Sequence, residues 1–391
     1  MACDIQIAAS STSRQHALIQ REGDRLILRD LDSRNGVFVD GRQVNTQELA
    51  VGNVIRIGGG VGVVIEESRD GEAFGELAAG LWGGPTLSRT AEKARAAAQS
   101  SLHIILEAES GSGKERFARA IHEWSGRAGA FVALNCAAIP SSLAEAELFG
   151  YQRGAFTGAD RNQTGFFKAA ANGTLFLDEI LELPASIQAK LLRAVEMREV
   201  IPLGATLATP VATRVVCACQ TPIAMAARDG HVRPDLFARL NGVTITIPPL
   251  RDRREDIFPL FQMFLHEVTS HPRAQLHPAA IEALCLHDWP LNVRELETVA
   301  RRVPVFHPGD RELCVHDIRG LIGKEPVRAP DVVGEQDLHW QRFVEALTIK
   351  RGNVVRAAEA IGISRQRAYR LIAQHPELNV AELRKAERCR P

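Results

Sequence analysis

The residues best suited to chemistry lie in a glycine-rich stretch that reads A-E-S-G-S-G-K-E. Gly111 and Gly113 allow backbone N–H groups to point inward at phosphate oxygens, and Lys114 can reach the β- and γ-phosphates of a nucleotide. An apolar run precedes the stretch and a helical pattern follows it, as the phosphate-binding pattern G-x-x-x-x-G-K-[ST] requires. Two positions depart from that pattern, because Ala108 replaces the first glycine and Glu115 replaces the magnesium-binding hydroxyl.

A second chemical pattern is "GTLFLDEI", a strand-like apolar run that ends in Asp178 and Glu179. One carboxylate at the end of a buried strand can hold Mg²⁺, and its neighbour can polarise an attacking water. We therefore predict that Asp178 is a magnesium ligand and that Glu179 is the catalytic carboxylate of a nucleotide hydrolase. The alternative is a glycine-rich turn plus a helix-capping acid pair, and the occurrence of both patterns in this order favours the hydrolase.

A parallel sheet is the element that would position these residues. From about residue 86, helix-like stretches such as "KERFARAIHEWS" alternate with apolar runs such as "LHIILEA", "AFVALNC" and "RVVCAC". This alternation predicts a parallel α/β sheet. Short strands with turns come before it, and mostly helical sequence follows from residue 252.

Composition narrows the class of protein. The 391 residues are 45% hydrophobic and 24% charged, and 47 basic residues balance 47 acidic ones, so the whole chain shows no nucleic-acid signal. We find neither a signal peptide nor an apolar run of the roughly 18 residues that span a bilayer. The seven cysteines are scattered, which predicts small buried residues in a reducing compartment. We therefore expect a cytoplasmic protein of two to four domains without a membrane partner.

The order of motifs resembles the AAA+ central domain of bacterial enhancer-binding proteins, the ATPases that activate sigma-54 RNA polymerase. Seven blocks carry the resemblance: "ESGSGKE", "FVALNCAAIP", "AELFGYQRGAFTGAD", "GTLFLDEI", "ELPASIQAKLLRAVE", "RPDLFARLNGVTITIPPLRDRREDI" and "WPLNVREL". It implies ATP and Mg²⁺ as cofactors, with hydrolysis in a hexameric ring. It also implies that Asn135 couples the catalytic glutamate to nucleotide state, and that Arg233 and Arg239 reach the γ-phosphate of the neighbouring subunit.

The resemblance further assigns a set of nucleotide-binding positions, with Gln220 as the first sensor and Arg294 as the second. The full set is Glu109, Ser110, Gly111, Ser112, Gly113, Lys114, Glu115, Gln220 and Arg294. Gln220 stands where the family usually has asparagine, and Leu181 and Leu291 replace usual glycines. An alanine at position 108 costs little if its φ is negative and more if it is positive.

The stretch "GAFTGA" resembles the loop with which this family contacts sigma-54. The implied contact residues are Gly154, Ala155, Phe156, Thr157, Gly158 and Ala159. A flexible glycine-flanked loop can extend or fold back with nucleotide state, and an exposed aromatic suits transient binding of a partner. Without the surrounding motifs, Phe156 would be interpreted as a local packing anchor.

Residues 1–66 resemble a forkhead-associated (FHA) domain, a phosphothreonine-binding β-sandwich. "STSRQHA", "DSRNGVFVDG" and "LAVGNVIRIG" carry the resemblance, which places Ser13, Arg14 and Asn35 on the phosphopeptide loops and makes His16 a structural residue. The family's first strand and its arginine have no counterpart here, so we expect a late start site or a degenerate module. A purely structural docking domain is the alternative to phosphothreonine sensing.

Near the carboxyl end, "RGNVVRAAEAIGISRQRAYRLIAQ" resembles the Fis-type helix-turn-helix of enhancer-binding proteins. From Arg342 to Pro391 there are eleven basic and five acidic residues, a local net charge of +6. Such a basic patch suits upstream DNA. The implied DNA-binding residues are Ser364, Arg365, Gln366, Arg367 and Arg370. A helical hairpin for oligomerisation is the alternative.

We therefore expect a multidomain chain in which an FHA-like sandwich, an α/β AAA+ ATPase with a helical lid, and an all-α helix-turn-helix follow one another. The predicted function is ATP-driven remodelling of sigma-54 RNA polymerase to the open complex. The alternatives are a DNA-binding regulator without ATP hydrolysis and an AAA+ machine for another client. The predicted boundaries are 1–66 for the sandwich, 67–85 for a linker with a short helix, 86–251 for the ATPase subdomain, 252–323 for the lid, 324–337 for a second linker and 338–391 for the helix-turn-helix.

Overall fold

The protein is described from a computed structural model that covers residues 5–7, 11–66, 73–268, 275–309 and 312–322. The chain divides into two compact units, Met1–Gly323 and Lys324–Pro391, and the described residues all lie in the first. The predicted second linker and helix-turn-helix therefore lie outside the described residues.

The amino-terminal part is a pair of antiparallel sheets, as predicted for the FHA-like domain. One sheet has the order β1-β2-β5 and the other β4-β3-β6-β7. The strands are β1 (Ala17–Glu22), β2 (Arg25–Asp30), β3 (Val37–Val39), β4 (Arg42–Val44), β5 (Thr46–Leu49), β6 (Val54–Ile57) and β7 (Gly60–Val63). Their inward-facing apolar residues form a small core of Leu28, Val37, Val39, Leu49 and Ile55. Each strand is short and has few buried residues, so this core is modest.

The segment predicted to be a linker with a short helix contains a β-hairpin instead. Strand β8 (Gly75–Ala78) pairs with β9 (Leu81–Gly83) around Gly80, whose φ is +71°. The glycines of this segment favour a turn, so it forms a hairpin and not the expected short helix.

The ATPase subdomain is built on a five-stranded parallel sheet, which confirms the predicted α/β class. Its strand order is β11-β14-β17-β10-β18. The strands of this subdomain are β10 (Ile104–Glu107), β11 (Phe131–Asn135), β12 (Gly150–Tyr151), β13 (Gln163–Thr164), β14 (Thr174–Asp178), β15 (Glu199–Val200), β16 (Thr209–Pro210), β17 (Arg214–Cys219) and β18 (Val243–Thr246). The helices are α1 (Pro85–Ala98), α2 (Lys114–Trp124), α3 (Ala144–Phe149), α4 (Phe166–Ala169), α5 (Ala185–Met197), α6 (Ile223–Arg228) and α7 (Pro234–Leu240).

The central strands are apolar without alternation because helices cover both faces of the sheet. All six residues of β17 are buried, including Cys217 and Cys219. Burial raises the pKa of the Cys219 thiol to about 12. These two cysteines are therefore small core residues, as predicted.

The lid follows as four helices: α8 (Ile257–Val268), α9 (Pro278–Leu286), α10 (Asn292–Phe306) and α11 (Val315–Ile322). Their apolar faces surround Trp289, which is fully buried and donates its indole N–H to the Leu284 carbonyl at 2.9 Å. Val54 of the amino-terminal domain belongs to the same core. Among the described helices none is both long and apolar enough to cross a membrane.

Candidate nucleotide-binding site

The phosphate loop, residues 108–114, joins β10 to α2. Gly113 adopts a φ of +101° and immediately precedes the first residue of α2, so the helix amino terminus faces the loop. Lys114 is only 7% exposed, and its Nζ donates to the Ala108 carbonyl at 3.2 Å. The same ammonium lies 3.4 Å from Glu179 Oε1. The loop thus presents a pre-positioned cation beside a helix amino terminus, which is an arrangement that attracts phosphate.

The predicted acidic pair lies at the carboxyl end of β14, next to Lys114. Glu179 has a φ of +52°, which turns the chain sharply after Asp178. Burial raises the pKa of Asp178, and the nearby Lys114 opposes that shift. Asn135 ends the neighbouring strand in register with Asp178, and its Oδ1 accepts the Ala137 N–H at 2.9 Å. Parallel strands therefore bring these side chains to one edge of the sheet.

The structure shows how three positions that depart from the family pattern are accommodated. Ala108 is not among the described residues with positive φ, so its methyl group carries no backbone strain. The amide of Gln220 donates to Glu179 Oε1 at 2.8 Å, so the longer side chain still reaches the acidic pair. Glu115 is exposed and pairs with Arg119 one turn along α2 at 2.7 Å.

Residues of the lid, and of the turn that precedes it, form hydrogen bonds with the phosphate loop. Arg251 donates to both carboxylate oxygens of Glu109 at 2.8 and 2.5 Å, which lowers the pKa of Glu109. The buried Asn292 donates to the Ser110 carbonyl at 3.0 Å and to Glu109 at 3.1 Å. Arg294 donates to Ser110 Oγ at 3.3 Å. Only Arg294 of these three lid-side residues was predicted.

A buried ion pair supports the same loop. Arg253 and Asp256 are 2% and 0% exposed and lie 3.2 Å apart. Arg253 donates to the Ser112 carbonyl at 3.2 Å, and Asp256 accepts the Gly84 N–H at 2.5 Å. Burial opposes both charges: it raises the pKa of Asp256 to about 6 and lowers the pKa of Arg253, while their mutual attraction acts against both shifts. Sequence reasoning missed this pair, although it lies in the quoted block "LRDRREDI".

The elements enclose a cleft of about 380 Å³ between the ATPase subdomain and the lid. Its lining includes Lys114, Asp178 and Glu179 together with a group of apolar residues. The apolar lining is Leu81, Trp82, Leu260, Met263, Phe264 and Val293. Sequence reasoning missed this wall because its residues come from the hairpin and from two lid helices. This mixed lining suits a ligand that has both an anionic part and an apolar part.

Arg233 and Arg239 do not join this cleft in the described chain. Arg233 precedes α7, is exposed, and forms two bonds to Asp235 at 3.0 and 2.7 Å. Arg239 is exposed on the last turn of α7. Both guanidinium groups are thus presented on the surface.

The 154–159 loop projects between β12 and β13. Phe156 is 41% exposed, and its ring lies 5.0 Å from that of Tyr151 in an edge-on arrangement. The Gly154 N–H donates to the Ala159 carbonyl at 2.9 Å, which closes the loop on itself. Ala159 is buried, whereas Thr157 is exposed. The second hairpin, β15–β16, lies alongside, and Gln152 donates to the Leu203 carbonyl of that connection at 2.9 Å.

The predicted phosphopeptide residues lie together on two loops of the amino-terminal domain. Buried His16 fixes both loops, since its Nδ1 accepts the Ser13 N–H at 3.0 Å and its Nε2 lies 3.1 Å from the Gly36 carbonyl. Asn35 donates to the Ser11 carbonyl at 2.6 Å, and Arg14 is exposed beside them. His16 therefore has the structural role predicted for it. The predicted DNA-binding residues, Ser364, Arg365, Gln366, Arg367 and Arg370, lie outside the described residues.

Three families match consecutive parts of the chain. Residues 1–58 match the FHA domain, residues 83–246 the sigma-54 interaction domain, and residues 251–331 an AAA+ ATPase lid domain. The matches run in the same order as the sheets, the ATPase subdomain and the lid.

Proteins of similar sequence are named as regulatory proteins. The C4-dicarboxylate transport transcriptional regulatory protein DctD of Rhizobium meliloti (strain 1021) is 39% identical over 297 residues, 74% of this chain and 63% of that protein. "Pathogenicity locus probable regulatory protein HrpS" of Pseudomonas syringae pv. syringae is 44% identical over 212 residues, 54% of this chain and 70% of that protein. The chain thus spans less than two thirds of DctD. The crystal structure of NtrX from Brucella abortus in complex with ATP is 28% identical with a TM-score of 0.56, covering 75% of this chain and 68% of that one.

Proposed function

The chain belongs to the family of sigma-54-dependent transcriptional regulators, and on that premise we propose that it hydrolyses ATP to activate sigma-54 RNA polymerase. One observation carries the proposal: Lys114, Asp178, Glu179 and Gln220 converge at one edge of the sheet beside a helix amino terminus. An NtrX structure that aligns with this chain was obtained with ATP.

The residues of the cleft fit ATP and its metal. The apolar wall with Trp82 would take the adenine, and Lys114 would hold the phosphates in place of its present carboxylate partner. Asp178 would be the magnesium ligand, and Glu115 stands where the family has a hydroxyl. Bound Mg²⁺ would neutralise phosphate charge. Glu179 would orient and polarise the attacking water, with the Gln220 amide fixing its carboxylate.

The surface position of Arg233 and Arg239 supports catalysis in a ring. A cation is most useful beside the phosphoryl group as charge develops, and these two lie away from their own chain's cleft. We therefore propose that they complete the site of a neighbouring subunit in a hexamer. Asn135 would couple Glu179 to the nucleotide state of the site.

The 154–159 loop would be the part of the ATPase that contacts its partner protein. Phe156 is half exposed on a loop held mainly by its own backbone bonds, which suits engagement of a partner that is bound and then released. We propose that it contacts sigma-54, together with Thr157. The 338–391 segment would bind upstream DNA, and the Ser13, Arg14 and Asn35 loops would bind a phosphothreonine protein.

ATP hydrolysis by the full-length protein at rising concentration tests the proposal. We expect cooperative turnover that Lys114→Ala abolishes and that Arg239→Ala abolishes without loss of nucleotide binding. Open-complex formation with sigma-54 polymerase should require hydrolysable ATP. Folded protein that binds ATP but shows no turnover at any concentration would instead identify the alternative, a DNA-binding regulator without hydrolysis.

A further inference from the structure

Three side chains of the kinds that bind transition metals lie together at the start of α11. Cys314 is the residue before that helix, and His316 and Asp317 lie in its first turn. The Cys314 Sγ, a ring nitrogen of His316 and a carboxylate oxygen of Asp317 all lie within 4.8 Å of one another. Thiolate, imidazole and carboxylate are the ligands that proteins offer to zinc and to similar divalent ions.

The three groups are close to the spacing of a tetrahedral metal site, in which neighbouring ligand atoms are roughly 3.3–3.6 Å apart. His316 Nε2 already lies 3.1 Å from Asp317 Oδ1. The His316 side chain is 77% exposed, so its ring can rotate without disturbing the lid core. Small side-chain rotations would therefore bring the three ligand atoms around one ion.

The carboxylate of Asp317 is oriented by a bond that leaves one of its oxygens facing two histidines. Its Oδ2 accepts the Cys314 N–H at 2.8 Å, which caps the amino terminus of α11. Its Oδ1 lies 3.1 Å from His316 Nε2 and 3.5 Å from His307 Nδ1. Helix capping accounts for one oxygen of this buried carboxylate but not for two imidazoles beside the other. Carboxylates oriented by a second hydrogen bond are typical of protein metal sites.

The backbone before the cluster is fixed by the fold of the lid. Leu313, directly before Cys314, is 1% exposed and pairs with Leu276 in an isolated β-bridge. The Leu313 N–H donates to the Gln275 carbonyl at 2.8 Å, and the Leu313 carbonyl accepts the His277 N–H at 3.0 Å. The position of the thiol is therefore set by packed and hydrogen-bonded neighbours.

Cys314 differs from the other described cysteines in its exposure. Cys136, Cys217, Cys219 and Cys285 are buried, whereas Cys314 is partly exposed. Burial raises the pKa of Cys285, in the core of the same lid, to about 12. A thiol must lose its proton to bind a metal ion, so Cys314 is the described cysteine best placed to become a ligand.

The described residues leave a cavity of about 560 Å³ beside the cluster, and His316 and Asp317 line it. The cavity gives an ion a path to the ligand atoms. Arg302 lines the same cavity, and its positive charge opposes an ion that is held by charge alone. Ca²⁺ and Mg²⁺ need several oxygen ligands, whereas sulfur and nitrogen ligands favour zinc and related transition metals.

We propose that Cys314, His316 and Asp317 bind a divalent transition-metal ion, with Zn²⁺ as the best fit, and that His307 supplies the fourth ligand. His307 is the residue that ends α10, so the ion would join the end of α10 to the start of α11. None of these four residues lines the nucleotide cleft. The site is therefore distinct from the ATP hydrolysis proposed above, and its effect would be to stabilise the lid.

Metal binding by the full-length protein tests the proposal, after removal of metal with a chelator and in excess Mg²⁺ to compete for the carboxylates of the nucleotide site. We expect calorimetric titration to show one Zn²⁺ per chain. His316→Ala and His307→Ala should each weaken binding at least tenfold, because loss of even an outer partner of a metal site costs roughly 10–100-fold. His266→Ala, at an exposed histidine of α8, is the matched control and should leave binding unchanged. Unchanged affinity in His316→Ala or His307→Ala would overturn the four-ligand site.

Cobalt tests whether the thiolate is a ligand. Co²⁺ in place of Zn²⁺ should give the intense charge-transfer absorption of a metal-bound thiolate. Cys3 and Cys389 lie outside the described residues, so a protein with both Cys3→Ser and Cys389→Ser serves as the background. In that background Cys314→Ser should abolish the absorption. An absorption that survives Cys314→Ser, or none in the background protein, would overturn the site.

Hydrogen exchange tests the expected effect on the lid. An ion that binds only the folded protein stabilises it, so Zn²⁺ should slow exchange in α11 and raise the midpoint of thermal unfolding. Neither change should occur in His316→Ala at the same concentration of Zn²⁺. Unchanged exchange in α11 of the wild type, despite bound Zn²⁺, would place the ion elsewhere in the chain and overturn the site.

Discussion

At Gly111 in the phosphate loop, an added Cβ would lie 2.1 Å from the Leu291 carbonyl oxygen, whereas at Gly154 and Gly158 it would meet no described atom within 4 Å. All three have positive φ. Glycine is needed at position 111 because a distant segment packs against it. At positions 154 and 158 it is needed only because the turn requires a positive φ. The phosphate loop is thus fixed by the rest of the protein, while the 154–159 loop is held mainly by its own bonds.

The two regions also differ in how deeply their ion pairs are buried. Arg253 and Asp256, behind the phosphate loop, are almost completely buried. At the start of the β15–β16 hairpin, whose connection bonds Gln152 just before the 154–159 loop, Arg193 and Glu199 are 60% and 31% exposed and 3.5 Å apart. Neighbours that exclude water make a site rigid, and a loop with few such neighbours opens more easily.

The largest effect should come from Asp256→Asn, which leaves the Arg253 charge buried without its counter-ion. Removing one partner of a buried pair costs about 3–5 kcal/mol of the free energy of unfolding. Urea unfolding measures the loss. Glu199→Gln, at the exposed pair, should cost no more than about 1 kcal/mol. Equal losses would mean that the two regions are not packed differently.

The glycine comparison gives the next effect. Gly111→Ala combines overpacking with a strained φ and should cost about 3 kcal/mol, with loss of ATP binding. Gly158→Ala carries only the strained φ and should cost about 1–2 kcal/mol, with ATP binding retained. Urea unfolding and nucleotide titration measure both variants. Retained ATP binding in Gly111→Ala would show that Leu291 yields easily.

Phe156→Ala should have only a small effect on stability. It removes an edge-on ring contact worth about 1 kcal/mol and should leave ATP turnover unchanged while abolishing open-complex formation. Tyr151→Ala is the matched control, because it removes the same ring contact but keeps Phe156. If both variants lose open-complex formation equally, the ring pair matters and Phe156 is not itself the contact.

The sequence was sufficient to predict the parts of the site that are local in the chain. The phosphate loop needs a strand, two glycines, a lysine and a helix in a short stretch, and the acidic pair needs only a strand end. The alternation of helices and apolar strands predicted the α/β class in the same way, and the parallel sheet confirms it. The FHA-like sheets were predicted from strand-and-turn patterns together with a family resemblance.

The contacts that brace the loop could not be predicted from local pattern. Arg251 and Glu109 are 142 positions apart, and Arg253 and Ser112 are 141 apart. An arginine in a polar turn is ordinarily solvated, and nothing in "LRDRREDI" distinguishes Arg253 from Arg254. Arg253 is more deeply buried than Arg254, and this difference depends on how the lid folds back over the sheet. The apolar wall was missed for the same reason.

Trp82 on the hairpin lines the cleft and stacks on Phe74, with ring centres 6.2 Å apart. Trp289, by contrast, is sealed in the lid core. An adenine seated against the Trp82 indole would change its fluorescence, while Trp289 would keep emitting from an unchanged environment. On the proposed function, the Trp82 indole would therefore report nucleotide occupancy against a background from Trp289 and the chain's two other tryptophans, Trp124 and Trp340.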